Sequence, residues 1–178
     1  MQGVPERSYV NKMVYASLFA ALTAVGAWIT IPLGIIPLTL QTFFVILAGG
    51  VLGSYFGGLS MIVYILLGLV GLPVFSRGQS GLGVLIGPTG GYLIGFVLCA
   101  ILIGMIIKKY QKPGYMQYLI AMSLGTLMIY ICGAAQLMLV AHMAPDTALL
   151  VGVLPFIPGD IIKVLVAAYI ATRFRLSD

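Results

Sequence analysis

Two residues could do chemistry where chemistry is hard to house. Asp160 and Lys163 lie inside the apolar run 151–172, three positions apart. On a helix that spacing puts a carboxylate and an ammonium on one face, about 4.5 Å apart along the axis. At the centre of a bilayer each charge would cost about 2.5–3.5 kcal/mol on the insertion scale. The six Ile, Val and Leu residues between Ile161 and Ile170 return only about 2–4 kcal/mol on that scale. The segment is marginal alone and is expected to insert with its charges turned into a bundle. Two readings of the pair stay open from chemistry alone. Pro158-Gly159-Asp160 has the form of a helix start, with Asp160 satisfying free backbone N–H groups and Lys163 as its simple partner. Alternatively the pair faces a polar cavity in the outer half of the membrane. An acceptor beside a donor there suits a ligand group that both donates and accepts, such as an amide or urea.

The elements that must position the pair follow from composition. The chain has 178 residues, of which 7% are charged and 61% hydrophobic, with a mean hydropathy of +1.15. A soluble domain carries about 25% charged residues. A globule of this size cannot hide so much apolar surface from water. Disorder requires low hydrophobicity, and two cysteines, Cys99 and Cys132, make no disulfide framework. An all-α integral membrane protein remains. At about 20 residues per span the length allows roughly six helices in a single membrane domain. The apolar runs fall at about 13–31, 36–52, 58–72, 88–107, 115–142 and 151–172. Pro32 ends the first run, the short turn 54–57 separates the second from the third, and a long Gly-rich connection covers 73–87. Pro113-Gly114 and Ala144-Pro145-Asp146 punctuate the rest, and Pro155 and Pro158 interrupt the sixth run.

The net charge of +5 would suggest nucleic acid if it were clustered on a soluble face, but here the charges lie between the apolar runs. With six spans, Arg7, Lys12, Lys108, Lys109, Lys112, Arg173 and Arg175 share one side, and Arg77 stands alone on the other. Positive residues accumulate on the cytoplasmic side, so both termini are expected there and the loops holding Arg77, His142 and Asp146 outside.

Other polar residues within or beside the spans are few. Gln41, with Thr39 and Thr42, lies near the outward end of the second helix. Arg77 and Gln79 occupy the long outward loop, and Thr89 and Tyr92 open the fourth helix. All project to the outer end that holds Asp160. Small residues recur at four-residue spacing in Ala16, Ala20 and Ala24, and in Gly49, Gly53 and Gly57. Such stripes let helix backbones approach closely, either within the bundle or against another membrane protein. No G-x-x-x-x-G-K-[ST] loop is present, so the chain has no Walker-type site for ATP. His142 is the sole histidine, and neither a metal nor a cofactor is expected. Gly78-Gln79-Ser80-Gly81 with His142 is a weak match to the pattern of rhomboid intramembrane serine proteases.

Taken together, Gly87-Pro88-Thr89-Gly90-Gly91-Tyr92 and Phe156-Ile157-Pro158-Gly159-Asp160 with Lys163 closely resemble the BioY family, the biotin-specific substrate-binding (S) components of energy-coupling factor transporters. Pro37-Leu38-Thr39-Leu40-Gln41 and Leu72-Pro73-Val74-Phe75 fit as well, and the similarity runs from the first helix to the last. The resemblance implies six helices with both ends cytoplasmic and biotin bound from outside. Asp160 and Lys163 would hydrogen-bond its ureido ring, Gln79 would reach it from the loop, Tyr92 and Gln41 would stand near it, and the Arg77–Gln79 loop would form a lid. The alanine stripe Ala16, Ala20, Ala24 would dock onto a transmembrane coupling subunit, and two cytosolic ATPases would supply energy. Substrate components for thiamin or riboflavin are the nearest alternative; those use more aromatic stacking, and this chain has one tryptophan, Trp28.

Overall fold

The computed structural model describes residues 4–32 and 36–174, with residues 4–8 as backbone only. The side chain of Arg7 and all of Arg175 lie outside the described residues. Helix α1 (Val4–Trp28) leads into a two-stranded antiparallel ribbon, β1 (Thr30–Ile31) and β2 (Leu38–Thr39), with Thr30 opposite Thr39. The helices that follow are α2 (Gln41–Leu69), α3 (Leu82–Ile86), α4 (Gly90–Lys108), α5 (Tyr115–Val140), α6 (Pro145–Gly152) and α7 (Ile157–Arg173). Single 3₁₀ turns, Ser76–Gly78 and Leu154–Phe156, precede α3 and α7.

Helix α2 is not one rod. At Gly53 the backbone takes φ 77 and ψ −174, a region essentially closed to other residues. A straight helix would hold Gln41 and Tyr64 about 35 Å apart. Instead their side chains hydrogen-bond, and a Cβ placed on Gly57 would lie 3.1 Å from the carbonyl oxygen of Ala48. The chain therefore reverses at Gly53, one residue before the expected turn, and α2 is a hairpin of two arms, 41–52 and 54–69. The last apolar run is likewise divided. Pro155 and Pro158 lie at the break between α6 and α7, each at a first-turn position where its missing N–H is harmless.

Among the described residues, five helical stretches are long and apolar enough to cross a membrane, α2 and the α6–α7 segment each counting once. Large apolar side chains such as Leu18, Leu66, Leu98, Leu127 and Val166 point outward from the bundle, as lipid contact requires. Helix α4 lies between α2 and α5, α1 packs on α2, and α7 closes against both α2 and α5. Glycine makes this close packing possible. A Cβ on Gly104 would lie 2.0 Å from the Ser54 nitrogen, and one on Gly49 would lie 2.7 Å from the Ala100 oxygen.

The alanine stripe lies against the rest of the bundle. Ala16 and Ala20 are 3% and 1% exposed in this chain by itself, and Ala24 is half-buried against the same core. Their small side chains serve the contact of α1 with the rest of the bundle, not a free surface for a partner helix. The glycine stripe is consumed the same way, in the turn at Gly53 and in contacts of Gly49 and Gly57.

The bundle has two different ends. Near one, the Tyr9 ring meets Phe56 edge-on at 5.3 Å, and Gly104 abuts the Gly53 turn. Ala171, on the last helix, packs near Gly50 and Tyr118 toward that same end. The ribbon, the 70–89 connection and α6 gather at the opposite end.

Candidate functional site

At that opposite end a small cavity lies between α2, α4, α5 and α7. Its walls are apolar and aromatic, from Phe75, Phe96, Ile129 and Phe156, and its polar floor is formed around Asp160 and Lys163.

The acid–base pair forms the floor, and its partners come mostly from other helices. Asp160 stands in the first turn of α7, where the helix dipole favours an anion, yet it makes no capping bond to the backbone. Its carboxylate is held by side chains from three helices. Lys163 Nζ donates to Oδ1 at 2.7 Å, Thr42 donates to the same oxygen at 3.1 Å, and the Tyr130 hydroxyl donates to Oδ2 at 2.6 Å. Lys163 also donates to the Thr39 carbonyl at 2.7 Å and to Thr42 Oγ1 at 2.8 Å, so all three of its N–H groups are matched. A buried charge pair survives only when its remaining donors and acceptors are met in this way. Asp160 is 4% exposed and both residues line the cavity.

The other expected site residues divide into two groups. Gln41 and Tyr92 line the same cavity, but their polar atoms have structural tasks. The Gln41 amide accepts from Thr39 at 3.0 Å and donates to Tyr64, whose hydroxyl donates onward to the Val74 carbonyl at 3.0 Å. This relay ties both arms of α2 to the start of the long loop. The Tyr92 hydroxyl donates to the Gly152 carbonyl at 2.7 Å, pinning α6, so only its ring faces the cavity. Arg77 and Gln79 line an adjoining chamber with Ser76, Ser80 and Pro88. The two chambers share Pro37, Ser76, Val84 and Thr89, which makes the outer one a vestibule to the inner.

The loop that carries Arg77 and Gln79 is shaped by backbone geometry. Arg77 has φ 60 and Gly78 φ 71, a left-handed pair that turns the chain over the cavity. Phe75 anchors it: the ring is 1% exposed and fills the place where a Cβ on Gly68 would be, 2.1 Å from the ring. On the far side the Gln136 amide donates to the carbonyls of Leu85 and Gly87, at 2.8 and 2.6 Å, fixing the end of the loop to α5.

Tyr130, Tyr64 and Gln136 were not singled out from sequence. Each lies in a largely apolar stretch of its helix, where a polar group in the interior is the available signal. Among the described residues no group of histidine, cysteine or acidic side chains has the makings of a metal site.

Comparison with known proteins agrees with this geometry. The model of the BioY family matches residues 2–177. The chain belongs to the BioY family. A biotin transporter BioY from Thermotoga maritima is 45% identical over 93% of this chain and 96% of its own length. A probable biotin transporter BioY from Pyrococcus horikoshii is 43% identical, covering 89% and 93%. A crystal structure of the S-component for biotin from an ECF-type ABC transporter superposes with a TM-score of 0.88 at 30% identity, over 100% of this chain and 96% of that one. This family member is thus a multi-pass protein of the cell membrane, and the named relatives are transporters, not enzymes.

Proposed function

We propose that this chain is the biotin-binding component of an energy-coupling factor uptake transporter. The observation that carries the reading is the carboxylate–ammonium pair at the floor of an apolar-walled cavity. A cyclic urea presents N–H donors and a carbonyl acceptor on one small ring, and Asp160 and Lys163 present the complementary set. The aromatic and aliphatic walls suit the rest of a compact bicyclic ligand. Thiamin or riboflavin would call for stacking on large flat rings, and the floor favours a urea instead.

The basic residues Lys108, Lys109, Lys112 and Arg173 lie in the last turns or connections away from the cavity. The positive-inside rule then places both termini in the cytoplasm and the cavity mouth outside. In this reading biotin enters past the vestibule, with Arg77 and Gln79 meeting it on the way and the Phe75–Gln79 turn closing over it. Energy comes from elsewhere, from a transmembrane coupling subunit and two cytosolic ATPases, because this chain has no phosphate-binding loop. The coupling subunit would sit on a lipid-facing surface and not on the buried Ala16–Ala20 stripe.

Titration of purified protein with labelled biotin, without partners, tests the proposal. The wild-type chain binds saturably, and Asp160→Asn weakens binding at least tenfold, about 1.4 kcal/mol. Equal affinity in the two proteins removes Asp160 from the site, and no binding by wild type removes biotin.

A further inference from the structure

Asp160 stands on the boundary between two spaces. One is the central cavity; the other is a groove on the lateral face between α5 and α7, lined by Ser123, Thr126, Ile157 and Ile161. Only Asp160 and Tyr130 line both. The carboxylate is held unequally across that boundary. Oδ1 takes Lys163 and Thr42, both from the cavity side, while Oδ2 has one partner, the Tyr130 hydroxyl at 2.6 Å. A carboxylate oxygen can accept two hydrogen bonds, so Oδ2 keeps one acceptor position. Without the tyrosine hydroxyl, nothing on the α5 side would fix which way that position points, and the groove would compete for it.

We infer that Tyr130 is a positioning residue for the ligand: it orients Asp160 so that the second lone pair of Oδ2 faces the cavity and accepts one N–H of the bound urea. Its ring meanwhile partitions the cavity from the lipid-facing groove. The inference rests on the biotin reading above and adds a residue from α5 to a polar floor otherwise drawn from β2, α2 and α7.

The test uses the whole purified chain, biotin, and two biotin analogues each methylated on one ureido nitrogen. In wild-type protein the analogue that has lost the N–H facing Asp160 binds more weakly than its isomer. Tyr130→Phe lowers biotin affinity about tenfold and narrows the gap between the two analogues, because the acceptor is no longer aimed. A tyrosine with only a packing role would weaken all three ligands alike, leaving the gap unchanged, and that result overturns the inference. Unchanged biotin affinity in Tyr130→Phe overturns it equally. The double variant Tyr130→Phe/Asp160→Asn leaves no unmatched carboxylate, so it provides a second, well-folded reading. Its biotin affinity equals that of Asp160→Asn if Tyr130 acts through Asp160, and a further tenfold loss contradicts that route. Failure of wild-type protein to bind biotin would instead strike the functional proposal, which keeps the two outcomes separate.

Discussion

The floor and the mouth of the cavity are built on opposite plans. At the floor, Asp160 and Lys163 sit one turn apart on α7, and their partners Thr42 and Tyr130 come from α2 and α5. Every donor of the lysine is engaged within the protein, so in the proposed reading recognition there is an exchange of hydrogen bonds. At the mouth, Arg77 and Gln79 ride on a turn with left-handed backbone, held by Phe75 at one end and by Gln136 at the other. Helices give the floor its precision, and the loop leaves the mouth free to admit and cover a ligand. The lesson is that selectivity should reside at the floor and retention at the mouth.

Three substitutions separate these roles, beginning with the largest effect. Lys163→Ala strands Asp160 as a buried, uncompensated charge, a loss of about 3–5 kcal/mol in comparable pairs. A sharp fall in the melting temperature of the detergent-purified protein and loss of measurable biotin binding are expected. A variant that melts like wild type would show the pair to be dispensable to the frame. Gln136→Ala comes next, because it leaves the Leu85 carbonyl without its side-chain donor and the Gly87 carbonyl with only the Gly90 N–H, at a cost of about 1–3 kcal/mol. Its mark is faster biotin dissociation with the association rate little changed. An unaltered dissociation rate would mean the α5 tether does not control the mouth. Gln79→Ala is the mildest, with an affinity change under about fivefold, less than 1 kcal/mol. A loss as large as that of Asp160→Asn would move selectivity from the floor to the loop and erase the contrast.

What the sequence disclosed follows the same division. Asp160 and Lys163 were legible because charge inside an apolar run is rare enough to require a reason, and their spacing fixed a shared face. The helical architecture was legible from hydropathy, and the prolines at 155 and 158 marked the break that separates α6 from α7. The reversal at Gly53 was placed within one residue, since glycine and a short polar segment coincide there. Tyr130 was hidden because tyrosine within an apolar helix is most often a packing residue, and only the fold shows its hydroxyl against Asp160. The partner of the alanine stripe was hidden for a related reason. Small residues at four-residue spacing permit close approach of any helix, and the sequence does not say whether that helix belongs to the same chain. Tyr92 and Gln41, expected near the ligand, line the cavity, but their polar atoms hold α6 and the two arms of α2.

The central claim is that the Asp160–Lys163 floor reads the urea of biotin. A crystal structure of this chain with biotin bound tests it most directly. The account predicts the ureido ring at the floor, one N–H within hydrogen-bond distance of Asp160 Oδ2 and the carbonyl oxygen within reach of Lys163 Nζ. A ring seated in the vestibule beside Arg77 and Gln79, or turned so that the acid tail meets Lys163, would contradict it.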